Sequence, residues 1–354
     1  MESLKNQVQG RIVFLTIGEP GYSRSWTYFN GLRQMGVPVE FLQIPTKNPV
    51  KEIFSKRKEF NRKKDIFIVM NPSHYLTLPV RVFLGRNVIL DAGWSLYEGT
   101  LARSDRLERF FLVALKSFMI DFISAHASKK IILETKLQLN YYSKLFAVPK
   151  SKCGVVYSGV DEEAFETSTK ISAIPESIFS NFTVLFRGKY NTEGGLQVLA
   201  KATKLLENEP INFIVMCPGL PLEIKFSSRT IIDRSIITKE NLVYIQRKVN
   251  LSLGQLSDHQ RLKHTIPHKA FEFAFLGIPY LTARNAGILE VFKEDVDVLC
   301  FQPGSAKDLA NKILEVKKDP KKLNSISKNV RAMYEMNLSQ TKLASTFLEK
   351  IDSL

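Results

Sequence analysis

The chain has 354 residues, of which 44% are hydrophobic and 24% are charged, and Lys and Arg outnumber Asp and Glu by 50 to 35. This length predicts two domains of about 150 to 180 residues each, since the chain is too long to fold around one hydrophobic core of ordinary size. The three cysteines are odd in number and lack CxxC or Cys/His spacing, which argues against a disulfide framework or a zinc site. We therefore expect a reducing, cytoplasmic location, and the N-terminal residues show no export signal.

The formal charge of +15 is densest between residues 51 and 64. The cations of this basic run are Lys51, Lys56, Arg57, Lys58, Arg62, Lys63 and Lys64. Nucleic acid is disfavoured as a partner because only Phe54 and Phe60 interleave with the run and no helix-turn-helix or zinc-finger pattern accompanies it. Two interpretations stay open. One is a solvated helix face, and the other is peripheral binding to an anionic membrane, worth about 1 kcal/mol per nearby cation.

Short apolar runs separated by helix-length or loop-length segments fill the first half of the chain. The first strand is predicted at residues 11–17 and is followed by the turn Gly18-Glu19-Pro20-Gly21 and a helix through Leu32. Further strands are predicted at residues 39–44, 65–70, 87–90, 130–133 and 154–157. This alternation is typical of a parallel, doubly wound α/β sheet.

The longest apolar stretch runs from Phe110 to Ile120 and continues past Asp121 to Phe122 and Ile123. It is too short and too interrupted for a membrane span of about 20 apolar residues. We predict a buried helix here, with an interfacial helix as the alternative.

The second half of the chain repeats the plan, with a strand at 182–187, a turn at Gly188 and a helix from Gly195 to Glu207. Further strands are predicted at residues 211–216, 242–245, 249–253, 280–282 and 298–301. The tail from Ala306 is predicted to be helical with a break at Asp319-Pro320. The predicted organisation is therefore two α/β domains, 1–168 and 169–335, with a helix at 336–354 that packs on the first domain. The carboxyl ends of two such sheets would face a ligand cleft.

The helix that Pro267 can begin gives the strongest local signal for a binding site. Lys269 and Glu272 stand three residues apart on its first turn, and Gly277 and Pro279 end it. The free N–H groups and positive dipole end of such a helix favour a phosphate, to which Lys269 would add a full charge. A carboxylate beside them suits sugar hydroxyls. The pattern predicts a site for a nucleotide sugar, although an ordinary exposed helix pair is the alternative.

Several segments resemble, in order, the motifs of one enzyme family. Residues 18–24 resemble its glycine-bearing turn after the first strand, and Tyr157 to Phe165 resembles NGVDxxxF with Ser158 in place of Asn. Residues 186–195 are similar to GRL…KG, and residues 249–290 to ADLxLG…IPNKxxE…GxxE. Over almost its full length, the chain resembles the GT-B glycosyltransferases of retaining family 4, also called group 1.

The resemblance implies two Rossmann-like domains facing a cleft, and retaining transfer of a sugar from a nucleotide diphosphate sugar to a glycan or lipid-linked acceptor, with no metal or other cofactor. It implies that Lys189 binds the diphosphate, Glu272 the ribose hydroxyls, and Glu290 lies near the donor sugar. The donor-binding residues that it implies are Gly21, Tyr22, Arg24, Arg187, Gly188, Lys189, Gly194, His264, Pro267, His268, Lys269, Glu272, Gly287, Ile288, Leu289 and Glu290.

The sequence departs from the family pattern at three places. His264 stands eight residues before Glu272, where the family often has another acid. Glu193 or Gly194 replaces a lysine, for which Lys269, Arg261 or Lys263 would substitute as the phosphate cation. Asp91 replaces a histidine after a central strand.

Asp91 is our candidate polar group facing the acceptor, since an aspartate at a strand end can accept a hydroxyl hydrogen bond. Trp94, Ser95 and Tyr97 complete the predicted acceptor side, and the predicted catalytic residues are Asp91, Lys189 and Glu272. A capping role for Asp91 is the alternative. The competing functions are a nucleotide-sugar epimerase and a non-catalytic scaffold derived from the enzyme.

Overall fold

The computed structural model describes residues 10–18, 24–101, 107–166, 174–235 and 239–352. The chain divides into two compact units, one formed by Met1–Asp161 with Leu338–Leu354 and the other by Glu162–Asn337. Each unit contains a six-stranded sheet in which every pairing is parallel. The predicted α/β class with two doubly wound, Rossmann-like domains is confirmed.

The sheet of the first unit has the strand order β2-β1-β3-β4-β5-β6. Its strands are β1 (Ile12–Ile17), β2 (Val39–Ile44), β3 (Ile66–Met70), β4 (Val88–Gly93), β5 (Lys130–Leu133) and β6 (Cys153–Val155). Strands β1, β3 and β4 are almost continuously buried apolar runs, as expected for a parallel sheet covered on both faces. The helices of this part of the chain are α1 (Arg24–Gln34), α2 (Pro49–Ser55), α3 (Thr77–Phe83), α4 (Leu96–Leu101), α5 (Leu107–Ala127) and α6 (Lys136–Leu145).

The sheet of the second unit has the order β12-β11-β10-β7-β8-β9. Its strands are β7 (Phe182–Arg187), β8 (Ile211–Met216), β9 (Thr230–Asp233), β10 (Leu251–Leu253), β11 (Tyr280–Ala283) and β12 (Leu299–Phe301). Its helices are α7 (Glu162–Glu166), α8 (Leu196–Leu205), α9 (Lys239–Lys248), α10 (Lys269–Leu276), α11 (Ala286–Leu289), α12 (Ala306–Lys318) and α13 (Pro320–Asn337). The predicted helix break at Asp319-Pro320 is confirmed, because α12 ends and α13 begins there.

The last helix, α14 (Gln340–Asp352), belongs to the first unit and packs on α1. Phe347 stacks on Tyr28 with ring centroids 4.8 Å apart. The crossing is close enough to need a glycine, since a Cβ on Gly31 would lie 2.3 Å from the carbonyl oxygen of Gln340. The first unit is therefore built from both ends of the described chain.

One strand prediction in the second unit is wrong and one strand was missed. Residues 242–245 lie within helix α9. Leu242, Val243 and Ile245 are buried on its inner face, and a short apolar run does not by itself distinguish a strand from such a face. Strand β9 lies at the sheet edge and is only partly buried, so its sequence carries a weak apolar signal.

The prediction of a buried helix at residues 110–123 is also wrong. The segment forms part of α5, and many of its large apolar side chains are exposed, namely those of Phe111, Leu112, Val113, Leu115, Met119, Phe122 and Ile123. Ala114, Asp121 and Ser124 face inward instead. Among the described residues, no helix is long and apolar enough to cross a membrane.

Candidate functional site

The order of the strands marks a candidate ligand-binding position in the second unit. Strand β7 pairs with β8 on one side and with β10 on the other, so the chain order reverses between β7 and β10. Ligands of open α/β sheets bind outside the carboxyl ends of the strands at such a switch point. Arg187 ends β7, and Gly254 follows β10. Helix α10 begins with Lys269 beside these two strand ends.

Helix α10 starts two residues later than predicted. Its first residue is Lys269, and His268 is the N-cap. Pro267 still contributes to the start, because its carbonyl oxygen accepts a hydrogen bond from the N–H of Ala270 at 2.8 Å. The predicted end at Gly277 is confirmed, since this residue caps the helix with φ of 66°, a conformation that favours glycine.

Lys269 is buried and joins the ends of two strands. Its Nζ donates hydrogen bonds to the carbonyl oxygens of Arg187 at 3.1 Å and Gly254 at 3.0 Å. The same ammonium lies 4.4 Å from the centre of the Phe186 ring. Burial lowers the pKa of Lys269 to about 7, and the charge of Arg187 acts in the same direction. The alternative of an ordinary exposed pair with Glu272 is wrong, and Lys269 is directed at backbone oxygens.

Glu272 is a buried carboxylate held by two neighbours. It pairs with the guanidinium of Arg187, and its Oε1 lies 3.6 Å from Nδ1 of His268. Burial alone would raise the pKa of Glu272, but Arg187 and His268 outweigh burial and bring this pKa down to about 2. Glu272 is therefore ionised at neutral pH and can accept hydrogen bonds from hydroxyl groups.

The buried position of Lys269 predicts a stability that changes with pH. Its pKa is about 7 in the folded chain against an ordinary value of 10.5, so the folded state binds fewer protons than the unfolded state between these pH values. The free energy of unfolding should rise from pH 7 towards pH 10.5, by at most about 1.4 kcal/mol per pH unit. Urea unfolding at several pH values should show the rise in the parent and a flatter profile in Lys269→Met. Exposed Lys201→Met is the control, and a Lys269→Met profile as steep as that of the parent would contradict the prediction.

The turn after β7 places one predicted residue in solvent and packs the others. Lys189 is exposed. The N–H of Gly194 donates to Oδ1 of Asn191 at 2.7 Å, and Gly195 has φ of 65°. A Cβ on Gly195 would lie 2.7 Å from the backbone nitrogen of Ser257. Glycine is therefore required here both for the backbone conformation and for the close approach of the segment after β10.

Glu193, one of the two residues that can stand where the resembled family has a lysine, is neutralised by Arg261. Nη1 of Arg261 lies 2.9 Å and 3.1 Å from the two carboxylate oxygens of Glu193. This pairing does not match the predicted use of Arg261 as a substitute phosphate cation. The partner of Glu193 was not predicted, because the two residues are far apart in the sequence and no local spacing connects them.

The turn that ends in Glu290 lies against the segment before α10. Oδ1 of Asn285 accepts the N–H of Ile288 at 2.9 Å and so caps α11. A Cβ on Gly287 would lie 2.6 Å from the carbonyl oxygen of Thr265, next to His264. The structure thus brings these two predicted donor segments together. The side chain of Ile288 is fully buried, whereas Leu289 and Glu290 are partly exposed.

Asp91 and Arg24 form a buried ion pair inside the first unit. Nε of Arg24 lies 3.0 Å from Oδ1 of Asp91, and Ser25 donates to the other carboxylate oxygen. Nη2 of Arg24 donates to the carbonyl oxygen of Val156 at 2.8 Å. Asp91 has no exposed surface, which does not match its predicted acceptor-facing role, and Arg24 is likewise enclosed rather than available to a donor. Gly21 and Tyr22 lie outside the described residues.

The segment after β4 is organised by Asp121 of α5. Oδ2 of Asp121 accepts hydrogen bonds from Oγ of Ser95 at 2.8 Å and from the N–H of Tyr97 at 2.9 Å. Oδ1 lies 3.7 Å from Nε2 of His74, which is also fully buried. Ser95 is therefore internal, whereas Trp94 and Tyr97 are partly exposed. Sequence reasoning missed Asp121, although a single acid within an apolar stretch is a signal for a buried polar contact.

Comparisons with known proteins extend these observations. Residues 207–348 match the family model described as Glycosyl transferase-like. HepE of Anabaena, solved in complex with UDP-glucose, is 15% identical and has a TM-score of 0.68, with 98% of this chain and 100% of that chain covered. The sucrose-phosphate synthase of Thermosynechococcus elongatus is 13% identical, with a TM-score of 0.72 and coverage of 96% and 98%.

A glycosyltransferase of Rickettsia africae is 12% identical, with a TM-score of 0.68 and coverage of 97% of this chain and 98% of that chain. A comparison with curated protein sequences finds no match. At these identities the three structures share their fold with this chain, and the shared fold extends over both units.

Proposed function

We propose that the chain is a glycosyltransferase of the GT-B fold, which transfers a sugar from a nucleotide diphosphate sugar to a glycan or lipid-linked acceptor with retention of the anomeric configuration. The observation that carries the donor assignment is Glu272. This carboxylate is ionised, fixed by Arg187 and His268, and located at the switch point of the second sheet.

In the proposed complex, Glu272 accepts hydrogen bonds from the ribose hydroxyls of the nucleotide. A carboxylate that is already desolvated and held in place needs little further ordering when it binds a diol. The diphosphate lies at the N-terminus of α10, where the helix dipole favours negative charge. Exposed Lys189 supplies a full positive charge to it.

The same groups support departure of the nucleotide diphosphate. Negative charge grows on the leaving phosphate as the bond to the sugar breaks, and positive groups beside it stabilise that charge most in the transition state. We propose that Lys189 and the N-terminus of α10 perform this role without a metal ion. Chelation with EDTA should then leave the rate unchanged, and NMR of the first product should show the anomeric configuration of the donor.

Thermal unfolding in the presence of UDP-, GDP-, ADP- and dTDP-sugars tests the donor proposal. We expect one nucleotide to raise the unfolding temperature by several degrees, since a ligand that binds only the folded state stabilises it by about 2.7 kcal/mol at 100 times its Kd. UDP-glucose is the first donor to try because HepE was solved with it. Slow hydrolysis of the same donor would support transfer, whereas interconversion into a second nucleotide sugar would support an epimerase instead.

Lys189→Ala should reduce the thermal shift, and Lys201→Ala, an exposed lysine of α8, is the matched control. Removing one charge-assisted contact to a phosphate should weaken binding by about tenfold or more. If no nucleotide sugar shifts the parent, the scaffold alternative is favoured. If Lys189→Ala binds the donor as well as the parent does, the diphosphate lies elsewhere.

A further inference from the structure

Helix α5 presents its large apolar side chains to solvent. Phe111 and Leu112 are 72% and 69% exposed, and the same side continues along the helix. We define the α5 face as Phe111, Leu112, Leu115, Lys116, Met119, Phe122 and Ile123. These positions follow helical spacing over more than three turns and so form one stripe. Proteins seldom leave so many large apolar side chains together in water unless the surface binds something.

The orientation of α5 is fixed by its polar inner side. Asp121 accepts hydrogen bonds from Ser95 and from the backbone of Tyr97, and Ser124 donates to the carbonyl oxygen of His74 at 2.7 Å. A rotation of α5 about its own axis that buried Phe111 and Leu112 would break these hydrogen bonds. Phe118 packs inward against the core, but most of the large apolar residues of α5 lie outside and small or polar residues lie inside, unlike in an ordinary surface helix.

The surface next to α5 continues this character. Helix α3 contacts both α5 and α2. Exposed apolar residues lie on α2 and on α3. They are Val50 and Phe54 of α2 and Leu78 and Val82 of α3. The basic run borders them directly, because the guanidinium of Arg57 lies 3.9 Å from the centre of the Phe54 ring and Arg62 donates to the carbonyl oxygens of Val82 and Phe83.

The charge on this surface is positive. The described side chains of α5, residues 111–127, include one Lys or Arg, and this residue, Lys116, is exposed. They include one acid, Asp121, which is buried. Lys51, Lys58, Lys63 and Lys64 are exposed in the neighbouring basic run. Its acids Glu52 and Glu59 both lie 3.7 Å from Lys56 and offset that lysine.

We propose that the α5 face inserts into the interfacial region of an anionic lipid bilayer while the basic run contacts the lipid headgroups. An apolar helix face bordered by cations matches this environment, in which apolar burial and attraction to anionic lipid add together. A second copy of the chain fits less well. Two-fold pairing would bring Lys116 and the basic run of each copy towards those of the other. This inference is independent of the proposed donor site.

Co-sedimentation of the full chain with vesicles tests the proposal. The vesicles are phosphatidylcholine alone and phosphatidylcholine with about 30% phosphatidylglycerol. We expect binding to the anionic vesicles that weakens at high salt. Leu112→Gln combined with Met119→Gln should lower the partition coefficient by about tenfold or more, since both apolar side chains are removed from the membrane.

The matched control is Leu205→Gln combined with Leu222→Gln, which makes the same change at residues of the second unit that are 61% and 70% exposed. This control should bind vesicles as the parent does. Lys116→Glu should weaken binding to anionic vesicles, whereas its binding to vesicles of phosphatidylcholine alone should be unchanged. Lys201→Glu, at an exposed lysine of the second unit, is the control for this charge reversal. All these positions are exposed, and circular dichroism will show whether each variant is folded.

A fluorescent variant gives a second measurement. In Met119→Trp, a blue shift in emission on addition of anionic vesicles is expected, with quenching by brominated lipid. Absence of parent binding to anionic vesicles, or equal binding of the parent and the α5 double variant, would overturn the proposal. So would a parent dimer that the α5 double variant converts to a monomer, because a second copy would then cover this face.

Discussion

Replacing Glu272 with alanine is expected to lower kcat/KM for the donor by about 100-fold or more. The variant loses the hydrogen bonds that the ribose hydroxyls donate to this charged carboxylate, each worth roughly 1.5 to 3 kcal/mol. It also leaves the partly buried Arg187 without its carboxylate, so that Arg187 is free to move towards the phosphates. Steady-state kinetics with varied donor, together with calorimetric donor binding, would measure the loss.

The pattern of the loss is as informative as its size. If Glu272 acts mainly on the ribose, the loss should appear in KM and in the donor Kd more than in kcat, because ribose contacts are made equally in the ground and transition states. Glu272→Gln keeps the size and one acceptor oxygen and should lose less activity. Glu176→Ala, which breaks an exposed pair with Lys248 in the same unit, is the control. Unchanged donor affinity in Glu272→Ala would move the site away from α10.

Removing the carboxylate of Asp91 should destabilise the first unit by about 3 to 5 kcal/mol, because Arg24 would be left as an uncompensated buried charge. Both side chains are fully enclosed, so solvent does not replace the lost partner. Urea unfolding of Asp91→Ala, followed by a probe in the first unit, would measure the change. Since the chain has two units, the transition of each must be fitted separately.

A double variant separates the ion pair from other effects. Arg24→Met combined with Asp91→Ala should recover part of the stability lost in Asp91→Ala, since neither charge is then buried alone. The sequence-based hypothesis gives a different result. An acceptor-facing Asp91 would leave stability intact and lower the transfer rate, and that outcome would require the first unit to open in a way that exposes this carboxylate.

The architecture was largely predictable from the sequence because most buried strands are short, largely apolar runs bounded by turn residues. Strands β1 and β7 and the end of α10 at Gly277 follow directly from local chemistry. Strand β9 and helix α9 were not predicted correctly, because an edge strand is weakly apolar and four apolar residues fit either a strand or a helix face.

The ion pairs of the predicted site could not be predicted in the same way, since they connect residues that are far apart in the sequence. The residue type and position of Glu272 suggested a ligand carboxylate, but its partner Arg187 lies 85 residues away. The pairings of Glu193 with Arg261 and of Asp91 with Arg24 are similarly remote, at 68 and 67 residues. Spacing along the sequence indicates which groups share a helix turn, whereas the neutralisation of a charge depends on the assembled sheet.

The return of α14 to the first unit has a consequence for how the protein is made. Phe347 packs against Tyr28 and Phe14, so the interior of the first unit includes a ring from close to the end of the described chain. A ribosome completes the whole of Glu162–Asn337 before it makes that ring. The second unit can therefore fold during synthesis, whereas the first unit must wait, with part of its core open, until the last helix emerges.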